Sequence, residues 1–114
     1  MPEFLYLYRG TEQVNAALSP QQMQDYMQHF QAWIMSLTKA GKITSCGPLA
    51  NSGRTIVGAK MMVTDGPYAE AKDLIGGYTV IGAQDFEEAT QIAQGCPFLD
   101  VGGTVEIRSI LGIK

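Results

Sequence analysis

The segment Asp65 to Tyr78, DGPYAEAKDLIGGY, constrains this chain more than any other. Asp65-Gly66-Pro67 sets an aspartate that can bond its own backbone beside a permissive glycine and a proline of fixed φ, which is turn chemistry. Glu70, Lys72 and Asp73 form a short charged stretch, and Gly76-Gly77 then leads into the apolar run Tyr78 to Ile81. A chain with this segment turns sharply and then enters a sheet. So many position-specific residues in one place also predict a site as well as a connection.

The remaining elements follow in order. Phe4 to Tyr8 reads as a first strand, with Phe4, Tyr6 and Tyr8 on one face and Leu5 and Leu7 on the other. Both faces are apolar, so both are expected to meet something. Thr11 to Leu18 shows no clear period and reads as a polar connection. Ser19-Pro20-Gln21-Gln22 opens a helix, with Ser19 as cap, Pro20 at the first position and Gln22 completing a capping box. Met23, Met27, Phe30, Ile34 and Leu37 recur at helical spacing as its core stripe, and Gly41 stops it. Tyr26 and Trp33 lie on one edge of that stripe, with His29 slightly further round and Asp25 one turn before it.

Ile43 to Leu49 is expected to be a short strand, and Asn51-Ser52-Gly53 a turn into a longer strand, Thr55 to Val63, the two strands pairing as a hairpin. Gly77 to Gly82 is the strand after the central motif. Asp85 caps a second helix with Glu88 at its third position, and Gly95 ends it before Pro97. Thr104 to Ile110 is the last strand, with Val105 and Ile107 facing opposite to Glu106 and Arg108. The order β-α-β-β-β-α-β predicts one α+β domain over residues 1–114, a ferredoxin-like βαβ-ββαβ sandwich with an added hairpin strand. Two helices cover one sheet face. Phe4, Tyr6, Tyr78 and Val80 are expected on the other, which predicts a homodimer packed through that open face.

Composition narrows the partners. Charged residues make up 17% of the chain, below the usual ~25%, in keeping with a subunit contact. Net charge is -3 with no basic run, which argues against nucleic acid. No apolar segment approaches the ~18 residues of a membrane span. The start MPEFLYLYRG lacks a basic region followed by a long apolar stretch, and Cys46 and Cys96 do not make a disulfide framework; a cytoplasmic protein is expected. One histidine and two distant cysteines leave no compact zinc cluster. With no GxSxG motif or phosphate-binding glycine loop, no cofactor is implied.

DGPYAEAKD followed by IGGY resembles the signature of the YCII-related proteins, in the branch named for its DGPF motif. The resemblance takes in His29-Phe30-Gln31-Ala32-Trp33, Ala40-Gly41, Cys46-Gly47-Pro48-Leu49 and Val105-Glu106-Ile107-Arg108. Tyr68 stands where Phe is usual, Ala71 replaces a threonine and Asp73 a glutamate. The resemblance implies a dimeric α/β barrel of ferredoxin-like halves. It also implies a possible regulatory setting, because DGPF-type members are often linked to extracytoplasmic-function sigma factors. A related branch includes a dehydrochlorinase acting on chlorinated hydroxyhydroquinones, and a His–Asp pair has been suggested as a site in others. Here the matching residues are His29 and Asp65.

Three readings of function follow. The leading one is a small dimeric protein that binds a small polar or anionic ligand, with Tyr26, Trp33, Tyr68, Glu70 and Lys72 around it and Arg9, Arg54 or Arg108 drawing the anion. The second is a cofactor-independent lyase or isomerase in which His29 moves a proton and Asp65 orients it. The third is a purely structural interaction domain. Each candidate also has a plain structural role: His29 packed near Trp33, Asp65 satisfying its own turn, and the charged loop residues solvated.

Overall fold

Local chemistry sets most of the elements in the computed structural model, which describes residues 1–66 and 74–112. They run β1 (Glu3–Arg9), α1 (Thr11–Ala17), α2 (Pro20–Lys39), β2 (Ile43–Pro48), β3 (Arg54–Val57), β4 (Met62–Asp65), β5 (Ile75–Gly82), α3 (Phe86–Gln94), α4 (Pro97–Asp100) and β6 (Thr104–Ser109). The capping box of α2 is complete. Ser19 Oγ accepts from the Gln22 N–H at 3.1 Å, and the Gln22 side chain accepts from the Ser19 N–H at 2.9 Å. Asp85 accepts from the Glu88 N–H at 2.8 Å at the start of α3. Each such cap stabilises its helix by about 1 kcal/mol.

β2, β5, β1 and β6 form one antiparallel sheet in that order. β1 and β2 are therefore parallel with β5 between them, and β5 and β6 are parallel with β1 between them. These are two interlocked split βαβ units, one crossing through α1 and α2 and the other through α3 and α4. That is the ferredoxin-like α+β arrangement expected from the sequence.

The core lies between this sheet and the helices. β1 sends Phe4, Tyr6 and Tyr8 into it, β5 sends Thr79 and Ile81, and α3 sends Ala89 and Ala93. Aromatic rings tie the layers together. Trp33 stacks on Tyr6 with ring centres 6.5 Å apart, while Phe30 and Phe98 meet Tyr8 edge-on at 5.6 and 5.8 Å. Such pairs add about 0.5–1.5 kcal/mol each beyond area burial. The Tyr6 hydroxyl donates to the Ala89 carbonyl, fastening α3 to the sheet.

The structure corrects five expectations. Thr11–Ala17 is a helix; it buries only Val14, so it carries no apolar period to be seen. The predicted strand Thr55 to Val63 is two strands, because Gly58 (φ 56°) and Met61 (φ 51°) turn the chain back on itself. β3 and β4 pair with each other as a separate hairpin, while β2 pairs with β5 across the sheet. Phe4 and Tyr6 lie under the helices, and Leu5 and Leu7 occupy the open face instead. The larger aromatic rings fill the space under α2 and α3, and the Tyr6 hydroxyl finds its acceptor there. On α2, Met27 is 55% exposed, while Tyr26 and Trp33 join Phe30 against the core. The buried stripe is rotated toward the aromatic edge, where Tyr26, Phe30 and Trp33 pack on one another and on Tyr6, Tyr8 and Phe98.

Candidate functional site

The sheet face that no helix covers among the described residues holds the chemistry that the fold leaves available. In antiparallel pairs, residues directly opposite share a face. Leu5 faces Val80 and Leu7 faces Tyr78 across β1 and β5. The same two leucines face Arg108 and Glu106 across β6. Leu5, Leu7, Tyr78 and Val80 thus form a half-buried apolar floor with a charged side along β6.

Arg9 Nε donates to Glu106 Oε1 at 2.9 Å, and Arg108 Nη1 approaches Glu106 Oε2 at 3.4 Å. One carboxylate is shared by two guanidinium groups. The hydrogen bond from Arg9 is the first cause holding the Glu106 carboxyl below its ordinary range. At the opposite edge, the Tyr78 and Ser45 hydroxyls lie 3.2 Å apart. Arginine, carboxylate, phenol and serine hydroxyl therefore flank one apolar patch. Such an arrangement can stack an aromatic ring on the floor and meet its anionic oxygen with a guanidinium.

The residues singled out from the sequence are spread more widely. His29 is exposed on α2, and Asp65 is exposed at the end of β4. No hydrogen bond or ion pair joins them among the described residues. Asp25 accepts from Gln21 Nε2 at 3.0 Å and does not partner His29. Tyr26 and Trp33 are walls of the core: Tyr26 lies 5.9 Å from Phe30 and 6.2 Å from Phe98, and burial pushes its hydroxyl up to about 12. Tyr68, Glu70 and Lys72 lie outside the described residues.

Of the arginines, Arg9 and Arg108 border the open face, and Arg54 stands at the root of the hairpin opposite Asp65. Ser45 had no sequence signal, because its place beside Tyr78 depends on the pairing of β2 with β5. The alternation of Glu106 and Arg108 with Val105 and Ile107 was the visible trace of the charged border. No group of three or more His, Cys, Asp or Glu side chains that could hold a metal occurs among the described residues. No helix among them is long and apolar enough to cross a membrane.

The fold and its half-covered sheet define a small ferredoxin-like α+β protein. The chain belongs to the YCII-related domain family, whose model matches residues 3–114. Among solved structures it is similar to the 5-chloro-2-hydroxyhydroquinone dehydrochlorinase TftG from Burkholderia phenoliruptrix AC1100, in complex with 2,5-dihydroxybenzoquinone. The two share 17% sequence identity, with 95% of this chain and 91% of that one covered and a TM-score of 0.57. At that identity the likeness is one of fold. No curated protein matches the chain.

Proposed function

We propose that this protein is a homodimer that binds a small anionic or phenolic ligand on each open sheet face, which a second copy roofs over. The observation that carries the reading is the sheet face opposite α2 and α3, where Leu5, Leu7, Tyr78 and Val80 form an apolar floor and Arg9 and Arg108 stand along one side. Half-covered sheets of this kind expose apolar surface that a partner removes from water. The arginines supply what a phenolate or carboxylate needs, and the floor accepts the ring. The Asp65-Gly66-Pro67-Tyr68 wording supports a place in the DGPF branch, and with it an accessory or regulatory role in the cytoplasm.

A second reading uses His29 and Asp65 as an acid/base pair in a cofactor-independent lyase or isomerase. It draws support from the dehydrochlorinase of like fold and from the exposure of both residues. In it His29 takes a proton from an acidic carbon or hydroxyl, Asp65 holds its tautomer, and Tyr26, Trp33, Tyr68, Glu70 and Lys72 surround the substrate.

Protein-observed NMR with 2,5-dihydroxybenzoquinone and with benzoate as probes separates the readings. Shifts clustered at Leu7, Arg9, Tyr78 and Glu106, and lost in Arg9→Ala, are expected. Shifts centred on α2 and Asp65 that vanish in His29→Ala and Asp65→Asn would favour the acid/base pair. Absence of saturable shifts with either probe would remove the aromatic-anion reading.

A further inference from the structure

The β3–β4 hairpin is apolar on both of its faces. Ile56 pairs with Val63 on one, and Val57 pairs with Met62 on the other. All four are exposed, at 62%, 57%, 47% and 58%, and Met61 in the turn is 70% exposed. From Ile56 to Val63 the segment IVGAKMMV carries one charge, Lys60.

A two-stranded hairpin alone is marginally stable in water, and an apolar one whose edges pair with no other strand among the described residues invites association. Its root is fastened. The Gly66 N–H donates to the Gly53 carbonyl at 2.7 Å, and Thr55 Oγ1 donates to the Gly66 carbonyl at 2.9 Å. Beyond that root Ile56, Val57, Met62 and Val63 are exposed. The molecule is accordingly spread out: its radius of gyration is 15.6 Å and its extents are 45 × 45 × 19 Å. About 13 Å is expected for a compact chain of this length.

We propose that this hairpin is an arm that packs on a second copy of the chain, with the two arms exchanged about a two-fold axis. The inference deepens the dimer proposed above by assigning it a second contact region. With about 100 Å² of apolar surface per side chain, the five residues present about 300 Å² per arm. Two arms and the surfaces they cover would remove about 1,200 Å² from water, the lower bound of a stable interface. A second copy suits the arm because a two-fold axis satisfies both arms at once and closes the assembly, whereas an unreciprocated apolar arm would propagate chains.

The test is sedimentation equilibrium on the full chain, wild type against Ile56→Asp, Met62→Asp and the sheet-face variant Val80→Lys, with circular dichroism confirming that each is folded. A dimer whose dissociation constant rises at least about tenfold in the arm variants is expected, since a charge would be desolvated there. Filtered NOE spectra of a mixed labelled and unlabelled dimer should show Ile56 and Met62 methyl contacts to the other subunit. If Val80→Lys weakens the dimer but the arm variants leave it unchanged, the arm inference is overturned and the sheet contact stands. If only the arm variants weaken it, the arm stands and the sheet contact falls. A monomer at all concentrations, or arm contacts wholly within one chain, overturns the inference.

Discussion

Replacing Tyr8 by phenylalanine removes a single oxygen from the middle of the core, and its cost can be worked out from the structure. The Tyr8 hydroxyl and Thr79 Oγ1 lie 2.7 Å apart. Tyr8 is 7% exposed and Thr79 1%, and no buried side-chain nitrogen or oxygen among the described residues lacks a partner. Burial pushes the Tyr8 hydroxyl well above its ordinary pKa, so the bond is between neutral groups under ordinary conditions. Tyr8→Phe keeps the ring against Phe30 and Phe98 but strands the Thr79 hydroxyl. The penalty for such a stranded group is about 1–3 kcal/mol. Thr79→Val keeps a β-branched strand residue and strands the Tyr8 hydroxyl, at a similar cost. The double variant strands neither, so it should be more stable than the summed single losses imply by about 1 kcal/mol or more. Urea unfolding at neutral pH and fixed protein concentration measures all four proteins, with an unchanged slope confirming comparable states. Losses that simply add, within about 0.5 kcal/mol, would refute the claim that the two hydroxyls satisfy each other.

Three further outcomes are expected. Gly66 sits at φ 86° with open space where a Cβ would go, so Gly66→Ala should destabilise by about 1–2 kcal/mol through backbone conformation alone; Ala71→Thr, which restores the residue usual in the family, should change the thermal midpoint less. Glu106 has a folded pKa below its ordinary 4.5, so its contribution is full above that value and is lost as pH falls through the lower folded pKa. Acid unfolding of Glu106→Gln should therefore show a flatter limb in that window than wild type, and identical limbs would count against the Arg9 bond. Cys46 is exposed, whereas Cys96 is buried and its thiol is pushed up to about 11 by desolvation. A thiol reagent should thus modify one cysteine per chain natively and the second only after unfolding, and equal rates would contradict the placement of Cys96.

Whatever depends on neighbours in the chain could be read from the residues. The α2 capping box, the Asp85 cap, the Gly41 and Gly95 stops and the alternation of β6 are local, and each appears where its residues stand. The element order was enough to indicate a ferredoxin-like α+β fold, because two split βαβ units leave few other ways to cover one sheet face. Tertiary structure decided what local chemistry leaves degenerate. β1 is apolar on both faces, so only the space under α2 and α3 and the acceptor on Ala89 determine that Tyr6 turns inward and Leu5 and Leu7 outward. β2 had two possible partners; it pairs with β5, where Gly47 and Gly77 allow close approach, and the β3–β4 hairpin is left to stand apart. The open-face cluster is likewise a product of register. Leu7 meets Glu106 and Tyr78 only because strands far apart in the chain align, and no local pattern carries that information.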